Sequence, residues 1–246
     1  MAVNVLLLKC APDGDSYKVR SDRFFFKKLE PRKYPIVIYG DSRTYRGVAT
    51  PIVAEGLGAP AMNLAFSSGG INAEMLTYVD GHIDYAASER FVILGITPFM
   101  FTAKARENDH FHEVSRDYVQ KKASRRSAFE GLFDGITPRR MTSFWSSGSS
   151  ARQYAEDFRE DGWCPTDLTR PDEKPEIFKR GLDGYVALFK ATQFSKTSMM
   201  EFCGRVRDWT GRGVNVIAFR IPSCGEMVEL EDSLSGFDEK AVKAAA

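Results

Sequence analysis

Between Pro35 and Gly40 the chain reads Ile36-Val37-Ile38-Tyr39 without a polar break. A continuous, β-prone apolar run of this length, closed by turn residues, suits a strand buried on both faces, and such strands belong to parallel sheets covered by helices on either side. Residues 91–96 are again continuous and β-rich, and residues 61–66 and 214–219 also read as strands. The stretches between them carry helical spacing instead. Residues 52–57 close on Gly56 and Gly58 after a Thr50-Pro51 pair suited to N-cap and N1. Met75, Leu76, Val79 and Ile83 mark a second helical face, and Met199, Cys203, Val206 and Trp209 a third, stopped by Gly211 and Gly213. Strands alternating with helices predict an α/β fold: a mostly parallel sheet covered by helices on both faces, with residues 36–39 at its centre. One domain over residues 1–246 is expected, with its core in 35–100 and 191–246.

Residues 101–190 are polar and punctuated, with Arg125-Arg126, Arg139-Arg140 and a Ser/Gly tract over 146–150. They read as helices plus a long insertion beyond the third strand, serving either as a lid over the carboxyl edge or as a solvated excursion. At the other end, residues 237–246 open a helix with Asp238 and Glu239 in its first turn and Val242 facing inward, yet no strand follows. The expectation is an absent last βα unit and an unpaired edge or bare face at the fourth strand. A second copy of the chain, a swapped segment or part of the insertion would then cover it. The opening run MAVNVLLLKC is too short to cross a bilayer. It reads as an ordinary cytoplasmic start or as the tail of a membrane anchor upstream of residue 1.

Charge excludes some functions. With 34 basic and 33 acidic side chains the net charge is +1, so there is no global field to steer the protein to nucleic acid. The four cysteines form no C-x-x-C pair and read as small buried hydrophobes. The loop after the first strand has no glycine-rich phosphate cradle, so neither a nucleotide nor another cofactor is implied. His110 and His112 stand at i and i+2, a spacing that does not share a helix face, so no metal site is read there.

Ligands of open parallel sheets sit beyond the carboxyl ends of the strands. Gly40-Asp41-Ser42 follows the first strand, Ser67-Ser68-Gly69-Gly70 the second, and Gly95-Ile96-Thr97-Pro98 the third. Gly40 permits a tight turn, Asp41 can cap nearby amides, and Ser42 reaches the mouth of the crevice beside bare N–H groups suited to an oxyanion. Residues 37–42, 63–69 and 94–97 together resemble the first three sequence blocks of the SGNH, or GDSL-type, hydrolases. That resemblance implies a flavodoxin-like, three-layer α/β/α fold and ester hydrolysis or acyl transfer on a small-molecule or saccharide ester. It makes Ser42 the nucleophile and an oxyanion donor, with Gly69, or Ser68 in an alternative alignment, as the second donor. Thr97 stands where the family usually has asparagine, and Arg43 where it usually has an aliphatic residue.

The family completes its triad with a C-terminal Asp-x-x-His, and no histidine follows His112 here. His82 lies at the far end of its helix and reads as a packing residue. His110, on the correct side of the sheet, is the substitute base to test. Asp41, Ser68, Arg43 and Arg46 are the substrate-binding candidates. The two arginines would hold a carboxylate or phosphate, or else form structural ion pairs with Asp41 or Glu55. Two functions remain: a serine esterase or acyltransferase impaired by the missing pair, and a ligand- or carbohydrate-binding module on the same fold.

Overall fold

The computed structural model describes residues 17–124, 155–166 and 175–240. The N-terminal run, the paired arginines, the Ser/Gly tract and most of the helix expected over 237–246 lie outside these residues. The chain forms α1 (Tyr17–Lys28), β1 (Ile36–Gly40), α2 (Ser42–Gly47), α3 (Thr50–Leu57), β2 (Ala61–Asn63), α4 (Ala73–Gly81) and β3 (Phe91–Ile96). After two 3-10 turns come α5 (Asp109–Ser124), α6 (Pro175–Lys190), α7 (Lys196–Gly211), β4 (Asn215–Arg220) and α8 (Gly225–Leu234). All strand pairs are parallel and the order is β2-β1-β3-β4, the order of a flavodoxin-like sheet. β1 is interior, as its unbroken apolar run demands.

Period-two alternation divides the strands between two cores. Val37 and Tyr39 of β1, with Val92 and Leu94 of β3, face a large core built from α1, α4, α5 and α7. Ile36, Ile38 and Ile93 face the other way, against Val53 and Leu57 of α3. The large core is tied by polar contacts as well as packing. Fully buried Trp209 donates its indole N–H to Asp80 Oδ1 at 2.8 Å, linking α7 to α4, and Arg212 also bonds that carboxylate.

Several local expectations change. Only Ala61–Asn63 of the second run pairs as strand; Leu64, Ala65 and Phe66 leave the sheet but stay buried in the large core. Ala49, not Thr50, is the N-cap of α3, and the Thr50 hydroxyl is buried without a partner. The front of the insertion is core rather than lid, because α5 packs against α1 and buries Phe111 and Val114. Its rear, α6, packs on α8 at the carboxyl edge, where Phe99, Phe189, Tyr185, Leu188 and Leu230 form a third cluster. Among the described residues β4 is the sheet edge. Ile217 and Phe219 are exposed on the face that carries Ile93, as expected of a bare fourth strand, and nothing described covers them.

Candidate functional site

The turn after β1 is shaped by two glycines. Gly40 and Gly95 are register partners on β1 and β3, and Thr44 of α2 drops between them to donate its hydroxyl to Gly95 O at 3.1 Å. A Cβ on Gly40 would stand 2.0 Å from Thr44 Oγ1 and 2.6 Å from Gly95 O. Only glycine lets α2 start this close to the sheet. The position therefore places Ser42 at the first turn of α2, just beyond the strand end.

Asp41 is the N-cap of α2, accepting from Arg43 N at 2.9 Å with Oδ1 and from the Thr97 hydroxyl at 2.7 Å with Oδ2. Burial raises its pKa against the opposing pull of Arg43 and these hydrogen bonds. Thr97 is thus spent on holding Asp41. Its hydroxyl is not an oxyanion donor in this arrangement.

Gly69 donates its N–H to Phe66 O at 3.2 Å, closing the turn after β2. A Cβ there would meet Gly40 O at 2.8 Å, so its service is close packing against the first loop. The N–H groups of Ser42 and Ser68 make no hydrogen bond among the described residues. Ser68 sits in the left-handed region, φ 53°, a sparsely populated conformation for a residue with a side chain. Of the two candidates for a second donor, Ser68 has the unpartnered N–H and Gly69 does not.

Asp41, Ser42 and Ser68 line one wall of a cavity of about 290 Å³. Phe99 and Leu188 make it apolar on one side, and α6 closes it with Arg180, Gly181, Gly184 and Tyr185. The rear of the insertion thus forms one wall of this cavity. Space beside the two α6 glycines is open, since a Cβ at either would meet nothing within 4 Å.

The arginines beside the serine do not face a ligand. Arg43 Nη2 donates to Glu231 Oε1 at 2.5 Å and Nη1 to Ser223 Oγ at 2.9 Å, with Asp41 3.8 Å from its Nε. Arg46 pairs with Glu156 at 2.7 Å. Both serve as structural ion pairs, with Glu231 and Glu156 in place of the expected Glu55. Glu231, on α8 and almost fully buried, also accepts from Arg220 Nη2 at 3.0 Å.

None of the three histidines in the sequence lines the cavity. His82 caps α4, with its ring nitrogens 2.8 Å from Tyr78 O and 3.2 Å from Glu30 O, a packing residue as expected. His112 is exposed beside Glu74. His110 is wedged against the Phe25 and Phe66 rings, its Nδ1 buried without a partner, and burial holds its pKa below the usual imidazole value. It reaches the large core and not the serine, so the substitute base is not brought to Ser42.

The described cysteines, Cys164, Cys203 and Cys224, are unpaired. Burial pushes the Cys164 thiol up to about 12, which keeps it protonated and inert. Among the described residues no group of His, Cys, Asp and Glu could hold a metal ion, and no helix is long and apolar enough to cross a membrane.

Reasoning from sequence missed Arg180, Tyr185 and Glu231. Two glycines inside the single helix α6, each costing about 1 kcal/mol of helix propensity, were the one legible signal that its face is kept bare for a purpose. Comparison of the chain with protein-family models, with curated proteins and with solved structures finds no match.

Proposed function

We propose that the cavity binds a small ester, with its carbonyl at Ser42, and that acyl chemistry there is slow. One observation carries this reading: the hydroxyl-bearing Ser42 and two amide groups without partners, those of Ser42 and Ser68, line one cavity at the carboxyl end of the central strand. A nucleophile beside free amides is what acyl transfer needs for attack and for the developing oxyanion. Resemblance to the SGNH hydrolases at residues 37–42, 63–69 and 94–97 supports the same reading. What the site lacks is a base. A serine hydroxyl is almost wholly protonated at neutral pH, and a general base typically contributes about 10²–10⁴-fold.

The second reading, a binding module that keeps the crevice without turnover, is favoured by the burial of His110 away from the cavity and by the engagement of Thr97 with Asp41. Hydrolysis of p-nitrophenyl acetate by the wild type, Ser42→Ala and His110→Ala separates them. Slow turnover that disappears in Ser42→Ala and persists in His110→Ala is expected. Turnover at the buffer rate in the wild type favours the binding module. Turnover unchanged by Ser42→Ala removes Ser42 from the chemistry.

A further inference from the structure

Arg180 lines the cavity opposite Asp41, Ser42 and Ser68, and it is exposed, which puts it at the rim. It forms no hydrogen bond or ion pair among the described residues. Its neighbours differ. Arg43, Arg46, Arg106 and Arg220 are each held by a carboxylate of the protein: Glu231, Glu156, Glu201 and Glu231 again. Glu176 and Asp183 stand at helical spacing from Arg180, yet neither pairs with it. The negative groups near the cavity are accounted for elsewhere: Asp41 accepts from Thr97 and from the Arg43 backbone, and Glu231 lies behind, between Arg43 and Arg220. Gly181, the next residue, and Gly184, one turn on, leave open space beside the helix backbone. A ligand group can therefore approach α6 without a side chain in the way. The opposite wall contributes hydroxyls and unpartnered amides, which are donors too.

We infer that the cavity selects an anionic ligand, one bearing a carboxylate or phosphate that pairs with Arg180 while its uncharged part reaches toward Ser42. The guanidinium fork matches either oxyanion, and a charge-assisted hydrogen bond of this kind is worth enough to give about tenfold in affinity at a half-exposed site. This rests on the reading of the cavity as a ligand site and not on turnover at Ser42.

Binding should be followed directly, by calorimetry or by amide shifts of Gly181 and Gly184, with three probes: methyl hydrogen succinate, glycerol 3-phosphate and neutral methyl butyrate. At low salt the expected result is that at least one anionic probe binds about tenfold more tightly than methyl butyrate. That preference should fall to parity in Arg180→Gln, be partly kept in Arg180→Lys, and weaken as salt is raised. Whichever anion binds better names the charged group. The Ser42→Ala variant should keep the preference even if it abolishes turnover, so loss of the esterase reading leaves this result standing. Equal binding of charged and neutral probes overturns the inference, and so does an anion preference that survives Arg180→Gln.

Discussion

Lys28, fully buried, and Arg43, partly buried, are basic residues beside the loops that build the crevice, but they are held in opposite ways. Lys28 has no carboxylate within ion-pairing distance among the described residues; its Nζ donates to Ala65 O at 2.7 Å and Gly162 O at 3.3 Å. Aromatic rings of Phe24, Phe25, Tyr45 and Phe66 surround it, the nearest centroid 4.2 Å away. Arg43 instead shares Glu231 with Arg220, so charge meets charge. Lys28 tethers α1 to the loop that carries Ser68, whereas Arg43 tethers α2, the helix that Ser42 opens, to α8. The difference teaches that a buried cation satisfied by carbonyls and rings can be exchanged for an apolar side chain, while one held by a buried carboxylate cannot lose its partner.

Removing the shared carboxylate should have the largest effect. Glu231→Ala leaves two arginines without their common partner and is expected to cost about 3–5 kcal/mol in urea unfolding. A loss under about 1 kcal/mol would mean that the two arginines find solvent or other acids at no cost, and the contrast with Lys28 would collapse.

Lys28→Met should stay within about 1.5 kcal/mol of the wild type at neutral pH, because relief from burying a charge offsets the lost bond to Ala65 O. Its clearer signature is in pH. Burial lowers the Lys28 pKa well below the usual lysine value of 10.5, so between the folded and unfolded values the unfolded chain binds more protons. Stability from this group is complete above the unfolded pKa and is lost as pH falls through the folded one. The wild type should therefore gain up to about 1.4 kcal/mol per pH unit across that window, and Lys28→Met should be flatter there. Parallel stability–pH profiles for the two proteins would show that Lys28 is not paying for its burial.

The smallest change tests the bond from Arg43 to an uncharged acceptor. Ser223→Ala removes the hydroxyl that accepts from Arg43 Nη1 at 2.9 Å and donates to Ile221 O at 3.4 Å, and about 1 kcal/mol is expected in the same unfolding experiment. A cost approaching that of Glu231→Ala would shift the weight of the cluster from the ion pair to Ser223.

Legibility differed between layers of the molecule. The parallel sheet and the interior place of β1 follow from apolar runs and helical spacing, because burial on one face or two leaves a period in the residues themselves. Gly40, Asp41 and Ser42 were legible for the same local reason, since a strand end followed by a tight turn is a short-range pattern. The run over 214–219, with Val214, Val216, Ile217 and Phe219, does not by itself show which face of β4 is bare. Periodicity tells which side chains share a face, not whether a helix is available to cover it.

The roles of the charged residues were decided elsewhere. Sequence alone determined that arginines flank Ser42, that three histidines exist and that a polar insertion separates the two halves of the core. Only the tertiary structure decided that Arg43 belongs to Glu231, that His110 packs on Phe25, and that α6 brings Arg180 to the cavity. The physical reason is range. Helix and strand formation answers to neighbours a few residues away, whereas the partner of a charge is whichever group the fold brings within a few ångströms, and for Arg43 and Glu231 that group lies 188 residues along the chain.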